Sequence, residues 1–186
     1  MNETYRPTGE TALIIVPPPD VCGYADHYRA QYMADQFHTI EPHITVTYPF
    51  VPYDQLEEAT PRLREVLASC PPRRVSLRHF AIFPDEGILF IEPADPERVL
   101  SIYRAVLAEF PEYPAYGGKF GDNIRPHLTV GVIPDREKLQ KVYDELAVQR
   151  LYIGFEVEQV VVKYKLDDGI WDTWAELPLG GGTVRS

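Results

Sequence analysis

Two short segments of this chain repeat a pattern of residue types that could carry acid–base chemistry. Residues 42–46 read PHITV and residues 126–130 read PHLTV, so the same histidine-x-threonine spacing recurs 84 residues along the chain. A histidine can be neutral or protonated near neutral pH, and a threonine hydroxyl can donate a hydrogen bond to an anion. Two such pairs in one site would supply the base, the acid and the anion contacts that in-line cleavage of a phosphodiester needs, without a metal ion.

The alternation of residue types in both copies predicts two β-strands. Successive side chains of a strand point to opposite faces, so each histidine shares a face with its threonine, about 7 Å along the strand. The apolar side chains between them must pack against helices. If the two strands lie side by side, His43, Thr45, His127 and Thr129 converge on one groove. Strict alternation puts Tyr48 on the opposite, core-facing side unless a bulge intervenes.

The segments after the two copies predict an internal duplication. Each copy is succeeded by a helical pattern, a strand, a tight turn and another strand, and the turn glycines Gly87 and Gly169 lie 44 and 42 residues after their histidines. We therefore predict a duplicated, bilobal α+β fold, with two antiparallel-rich sheets and outer helices around a central cleft. The alternative is a generic strand–helix–hairpin succession. A single domain is expected over residues 1–179, with a flexible tail over residues 180–186.

Hydrophobic periodicity and the Pro and Gly positions set the predicted element bounds. Strands are predicted over residues 11–16, 43–50, 75–83, 88–92, 127–133, 155–166 and 170–177. Helices are predicted over residues 24–37, 54–69, 95–110 and 135–150, with aspartates as the N-caps of the last three. Residues 111–126 form a long loop rich in Gly, Pro and Tyr.

The overall composition is that of an ordinary globular protein. The 186 residues are 45% hydrophobic and 25% charged, which excludes a disordered chain, and no apolar run is long enough to span a membrane. The polar first ten residues do not resemble a signal peptide. Only Cys22 and Cys70 occur, without a CxxC, which disfavours a disulfide framework or a cysteine zinc site. We expect a cytoplasmic monomer that does not bind a membrane.

The net charge of −10 limits the class of ligand. Proteins that hold long nucleic acid by its phosphates need a basic stripe, and here the longest basic runs are pairs. A long duplex is therefore excluded as a partner. A small nucleotide or an RNA end held in a locally basic pocket is compatible with this charge, although an acidic surface can also serve solubility alone.

The two PHxTV segments resemble the signature motifs of the 2H phosphoesterases, the superfamily of the 2′-5′ RNA ligase-like proteins and the cyclic nucleotide phosphodiesterases. The resemblance extends from Thr11 to about Leu179, and residues 43–50 (HITVTYPF) are similar to a bacterial branch of the 2′-5′ RNA ligase family. It implies a bilobal fold with a central cleft, no metal or cofactor, and hydrolysis of 2′,3′-cyclic phosphates or related cyclic esters. In some members of the family, ligation of RNA ends is the reverse reaction.

The resemblance also implies roles for residues of this chain. By position, His43 and His127 would be the acid–base pair, with Thr45 and Thr129 holding the phosphate. Which histidine is the base depends on the orientation of the substrate. RNA-processing members often carry a basic residue shortly after each motif, and this chain does not. A mononucleotide, an oligonucleotide end or cyclic ADP-ribose phosphate therefore suits it better than a bulky RNA.

Further candidates for substrate binding lie just before the second motif. Arg125 could face the same side as His127 and neutralise a phosphate, or it could form a surface ion pair. In the loop over residues 111–126, Tyr116 could stack on a base and Lys119 could contact an anion, with surface packing as the alternative. Three residues of the last predicted hairpin could form cleft walls: Lys163, Lys165 and Trp171.

Two rival classes of function stay open at the level of sequence. The first is a non-catalytic nucleotide- or RNA-end-binding protein that uses the same cleft. The second is a zinc hydrolase in which both histidines bind the metal. Zinc sites normally use three protein ligands, and neither strand offers an acidic residue or a cysteine two positions after its histidine.

Overall fold

The computed structural model describes residues 5–181 of the chain. In chain order these residues form β1 Pro7–Ile15, α1 Pro19–Tyr32, β2 Ile44–Thr47, α2 Leu56–Ser69, β3 Arg73–Phe83, β4 Ile88–Pro93, α3 Glu97–Glu109, β5 Leu128–Val132, α4 Arg136–Ala147, β6 Ile153–Val157, β7 Gln159–Leu166 and β8 Trp171–Pro178. Short 3-10 turns cover Tyr53–Gln55 and Ala115–Gly118. The α+β class expected from the sequence is confirmed.

The strands of the described residues form one sheet, and the prediction of two separate sheets is wrong. The order is β6-β3-β4-β5-β2-β1-β7-β8, and all neighbours are antiparallel. Ile44 of β2 pairs with Leu128 of β5 and joins the two halves. Two separate sheets would leave two strand edges at the centre of the molecule, with backbone N–H and C=O groups that lack hydrogen-bond partners. The pairing of β2 with β5 avoids the free-energy cost of leaving these groups unpaired.

The strand order is symmetric about the β5–β2 junction. The two motif strands lie side by side, each with the strand that precedes it in the chain on its outer side: β4 beside β5 and β1 beside β2. The repeating unit is therefore strand, helix, motif strand, helix and strand. Its last strand crosses into the other half, since β3 pairs with β4 and β7 pairs with β1. This crossing makes the two halves interdependent.

The predicted strand over residues 155–166 is two strands in the structure. β6 ends at Val157 and pairs with β3 at one edge of the sheet, whereas β7 begins at Gln159 and pairs with β1 in the other half. The continuous apolar pattern hides this break, because both strands bury apolar side chains. One straight strand cannot serve two halves of a sheet, so the chain turns at Glu158.

The helix ends have local causes. Asp135 caps α4 as predicted, with its side chain accepting the Lys138 backbone N–H at 2.9 Å. The first helix spans Pro19–Tyr32 rather than the predicted residues 24–37. It stops early because the buried Arg29 guanidinium donates to the carbonyls of Phe37 and Ile40, which fixes the following segment as turns around that side chain.

The main core lies between the helices and one face of the sheet. Buried residues of all four helices join this cluster, together with Ile44 and Leu128 of the two motif strands. The opposite face carries a small buried cluster of Ala12, Ile14 and Val161, to which the described helices contribute no buried residue. The second face is therefore free to form a site.

The end of the described chain is tied to the segment after α2. The Gly180 backbone N–H donates to the carbonyl of Cys70 at 2.7 Å. Residues 182–186, which belong to the predicted flexible tail, lie outside the described residues. Within residues 5–181, no helix has the length and apolar character that crossing a membrane requires.

Candidate functional site

The junction of β2 and β5 brings the two motifs together. Ile44 pairs with Leu128 in antiparallel register. One residue further in each direction, this register sets His43 opposite Thr129 and Thr45 opposite His127. Directly opposite side chains share a face with Cβ atoms about 4.5–5.5 Å apart, and diagonal neighbours are about 7–8 Å apart. The two imidazoles therefore lie on one diagonal of a four-residue patch and the two hydroxyls on the other.

The burial pattern fixes which face this patch occupies. Four apolar side chains of the two strands are at most 2% exposed and belong to the main core: Ile44, Val46, Leu128 and Val130. The imidazoles and hydroxyls that alternate with them are partly exposed. The structure thus places His43, Thr45, His127 and Thr129 together on the face opposite the main core, to whose buried cluster the four described α-helices contribute no residue.

Both imidazoles are held by the same contact. The ring nitrogen Nδ1 of His43 lies 2.8 Å from the Glu41 carbonyl oxygen, and Nδ1 of His127 lies 2.7 Å from the Arg125 carbonyl oxygen. A carbonyl can only accept, so Nδ1 carries the hydrogen in both rings. In the neutral rings Nε2 is then the lone-pair nitrogen, the atom that can take a proton from a substrate or return one.

Burial keeps both rings neutral at neutral pH. It lowers the pKa of His43 to about 4, and the charges of Arg29 and His127 act in the same direction, against the hydrogen bond to Glu41 and its carboxylate. Burial also lowers the pKa of His127, and the Arg125 charge adds to this.

A cavity of about 170 Å³ opens beside His43. Thr45 lines it from the same strand, and Trp171 lines it from β8, as expected for a cleft wall. Tyr48 also lines it and therefore does not lie on the core side that strict alternation gives. The exception expected for a bulge applies, because Leu13 and Ile14 of β1 pair with Thr47 and Thr45, which interrupts the alternation of β2 just before Tyr48. The Tyr48 hydroxyl donates to Glu10 Oε2 at 2.6 Å.

A larger cavity of about 320 Å³ opens beside His127. Its aromatic walls include Phe83 and Phe120, and the imidazole packs edge-on against Phe83 with ring centroids 5.1 Å apart. The predicted residue Lys119 lies on the exposed rim, with Nζ 5.1 Å from the Phe120 ring centroid. This chamber offers flat apolar surface beside one imidazole.

Tyr116 lines both cavities and forms the wall between them. Its backbone N–H donates to the Tyr48 carbonyl at 2.5 Å, and its φ of 56° is the only positive non-glycine value within residues 5–181. Burial raises the pKa of the phenol, and Thr45, which lines the same cavity, acts against this rise. The sequence placed Tyr116 near the second motif, and the structure also brings it to the threonine of the first.

Arg125 forms the ion pair that the sequence left as one of two possibilities. Its guanidinium lies 2.6 Å from Glu92 Oε2 and 5.0 Å from the Phe90 ring centroid. The side chain still lines the larger cavity. Its charge is therefore shared between Glu92 and any anion bound beside His127.

Several site residues had no motif in the sequence. Phe90 pairs with Thr129 in the sheet and packs 5.2 Å from the His127 ring, and Glu92 lies two residues further along β4, on the same face. Their alternation in the strand was the available signal.

The two lysines of the last predicted hairpin both form ion pairs. Glu41 and Lys163 form an ion pair of 2.6 Å in which the lysine is buried, whereas Lys165 pairs with Glu10 at 3.2 Å. Neither Lys163 nor Lys165 lines the cavities beside the two imidazoles, so both lysines belong to ion pairs rather than to the cleft walls.

Within the described part of the chain, no three His, Cys, Asp or Glu side chains are grouped in a way that could hold a metal ion. The site as described consists of two imidazoles, two hydroxyls, aromatic walls and paired cations.

Comparisons with known proteins agree with this architecture. A protein of Geobacillus kaustophilus (strain HTA426) named "Putative phosphoesterase GK0864" is 26% identical over 176 residues, which cover 91% of this chain and 95% of that protein. The crystal structure of TT0787 of Thermus thermophilus matches 94% of this chain and 100% of that chain with a TM-score of 0.67 at 15% identity. The structure of E. coli LigT complexed with NADP+ matches 94% of this chain and 98% of LigT with a TM-score of 0.63 at 14% identity.

At these identities the structural matches show a shared fold. The sequence profile of the 2′-5′ RNA ligase superfamily matches residues 17–169, a range that includes both PHxTV segments. This match confirms the resemblance seen in the two motifs. The chain belongs to the 2′-5′ RNA ligase superfamily.

Proposed function

We propose that this protein is a metal-independent phosphoesterase that opens 2′,3′-cyclic or related cyclic phosphodiesters of nucleotides or RNA ends. The observation that carries the proposal is the β2–β5 pairing, which joins two histidine–threonine pairs in one patch. The carbonyl bonds at both Nδ1 atoms support it, because they leave Nε2 of each ring for proton transfer.

In the proposed reaction the phosphate lies between the two imidazoles. Nε2 of the neutral ring takes a proton from water, whose oxygen attacks phosphorus in line. The bond from phosphorus to one ribose oxygen breaks, and the protonated ring gives its proton to that oxygen. Thr45 and Thr129 donate to the non-bridging oxygens and stabilise the charge that grows on them. The product is a phosphomonoester. If a ribose hydroxyl attacks in place of water, the same ring opening forms a phosphodiester that joins two ends.

Substrate binding creates the acid in this scheme. Both rings are neutral in the free site at neutral pH because burial lowers the pKa of each. A bound phosphodiester is an anion, and a nearby anion favours the charged form of an imidazole. One ring therefore gains its proton together with the substrate. Which ring gains it depends on which side carries the leaving oxygen.

The walls of the site favour a small nucleotide. Aromatic side chains such as Phe83, Tyr116 and Phe120 can stack on a base beside His127, and Lys119 and Arg125 can approach its phosphate. The net charge of −10 disfavours a long RNA. E. coli LigT, which shares the fold, has been crystallised with NADP+, 3′-AMP and ATP. A mononucleotide, an RNA end or cyclic ADP-ribose phosphate fits these features.

The test is hydrolysis of 2′,3′-cyclic AMP in the presence of excess chelator. The wild type should convert it to a phosphomonoester, and His43→Ala should lower kcat by roughly 10²–10⁴, the usual contribution of a positioned acid or base. His27→Ala is the matched control, since His27 is an exposed residue of α1. Binding without turnover would instead identify a non-catalytic nucleotide-binding protein, and loss of turnover with chelator would identify a metallohydrolase.

A further inference from the structure

Lys163 is an unusual residue for its position. It lies in the middle of β7, directly opposite Ala12 of β1, and is only 4% exposed. Its Nζ lies 2.6 Å from Glu41 Oε1 and 2.9 Å from Thr173 Oγ1. Burying an ammonium group costs several kcal/mol unless partners compensate it. An apolar residue would fill this strand position without the desolvation penalty of a buried charge. Packing alone therefore does not explain a lysine here.

The partner of Lys163 connects it to the site. The carbonyl of Glu41 accepts the Nδ1 hydrogen of His43 at 2.8 Å, and the Glu41 carboxylate binds Lys163. Glu41 lies between α1 and β2, in a stretch with neither helix nor strand. Arg29 of α1 donates to the carbonyl of the neighbouring Ile40, and Lys163 binds the side chain of Glu41.

The second motif has a related support. Arg125 also precedes its histidine by two residues, and its carbonyl accepts from Nδ1 of His127 while its side chain pairs with Glu92 of β4. In both halves an ion pair to a strand thus fixes the residue whose carbonyl orients the ring. In the first half the residue two positions before the histidine is the acid of the ion pair, and in the second half it is the base. Only the first ion pair includes a nearly buried charge, that of Lys163. Such a pair is less screened by solvent.

We infer that Lys163 is a positioning residue for His43, acting through Glu41. Its ammonium group holds the Glu41 side chain, and thereby the carbonyl that fixes the orientation and tautomer of the imidazole. It also weakens the effect of the Glu41 carboxylate, whose charge favours protonation of His43. The inference rests on the proposed function, since it assumes that His43 transfers a proton.

Removing Lys163 should change both the placement and the proton affinity of His43. Six ionisable groups lie around the ring or around its partner Glu41, and they come from five places besides the segment of His43 itself. They are Arg29 in α1, Glu41 just before His43, Tyr48 just after β2, His127 just before β5, Lys163 in β7 and Tyr116 in the loop after α3. Without Lys163, the Glu41 carboxylate faces His43 with no cation bound to it. The pKa of His43 should rise, and one limb of the pH–rate profile should move to higher pH.

The experiment measures kcat, KM and the pH profile of 2′,3′-cyclic AMP hydrolysis for full-length variants. In Lys163→Met, kcat should fall roughly 10- to 100-fold with KM changed less than about threefold, as expected for a misplaced catalytic group. Lys163→Arg keeps a positive charge at this position, so its pH–rate profile should lie at the wild-type pH and not at that of Lys163→Met. In Glu41→Gln/Lys163→Met neither charge remains, so the profile should return toward the wild-type position while kcat stays low.

Lys165→Met is the matched control. Lys165 lies two residues further along β7 and pairs with Glu10, which binds the Tyr48 hydroxyl and no histidine. Its pH profile should equal that of the wild type. If Lys163→Met cannot fold because it leaves Glu41 unpaired, the double variant removes that charge and keeps the test available.

The inference is overturned if the double variant, or a folded Lys163→Met, keeps wild-type kcat. A shift of the profile of the same size in Lys165→Met would also overturn it. Failure of the proposed function itself would look different: His43→Ala would keep its turnover, whatever Lys163→Met does.

Discussion

Binding of an anion in the cleft should be coupled to uptake of a proton. With a pKa of about 4, roughly one His43 ring in a thousand is protonated at pH 7. For a ring of this kind to serve as the acid at pH 7, binding must raise its pKa by about 3 units, which corresponds to ~4 kcal/mol. One negative charge about 4 Å from the ring supplies ~4 kcal/mol at an effective dielectric constant of about 20. A single close phosphate oxygen is therefore sufficient.

The assay is isothermal titration with inorganic sulfate, a tetrahedral anion that does not itself titrate near neutral pH. Repeating the titration in buffers of different ionisation enthalpy gives the number of protons taken up. We expect roughly half a proton taken up per sulfate at pH 7, rising toward one at pH 6, and tighter binding as the pH falls. The variant with both His43→Gln and His127→Gln should take up almost none. Sulfate binding with no proton uptake and no dependence on pH would refute this reasoning.

Three further outcomes are expected. The pKa of His43 is lower in the folded than in the unfolded state, so the unfolded state takes up the proton first as the pH falls. The free energy of unfolding should therefore be unaffected by His43 above about pH 6.5 and should fall as the pH drops toward 4. His43→Gln should reduce this loss, as measured by urea titrations at several pH values. Tyr116→Phe removes a hydroxyl that lines the cavity beside Thr45 and should lower kcat roughly 3- to 10-fold without changing the thermal midpoint, because no phenol then helps to orient the Thr45 hydroxyl toward the phosphate. Leu128→Ala should destabilise the fold by about 2–5 kcal/mol in urea denaturation, since this fully buried side chain lies at the β2–β5 junction, and wild-type stability would contradict that placement.

The local parts of the site could be predicted from the sequence. Alternation within five residues decides which side chains share a face, and so the burial of Ile44 and Leu128 and the partial exposure of His43 and His127 follow from the pattern alone. The Asp135 cap is local for the same reason. Such features depend on neighbours in the chain.

Features that depend on distant pairing could not be predicted. The fusion of two sheets into one rests on the contact between Ile44 and Leu128, and no residue type specifies that contact. The break at Glu158 is invisible because strands on both sides of it are apolar. The link from Lys163 to Glu41 joins residues from distant parts of the chain, and a lysine on a strand is ordinarily exposed. These features depend on the strand order of the whole sheet.

The central claim is that His43 and His127 act as one acid–base pair. The most direct test is a double-mutant cycle of kcat on 2′,3′-cyclic AMP with chelator present, comparing wild type, His43→Ala, His127→Ala and the double variant. If the two rings act together, either single change should cost roughly 10²–10⁴ in kcat, and the double variant should lose much less than the product of the two single losses. Two losses that multiply, or a single variant with wild-type kcat, would contradict the paired site.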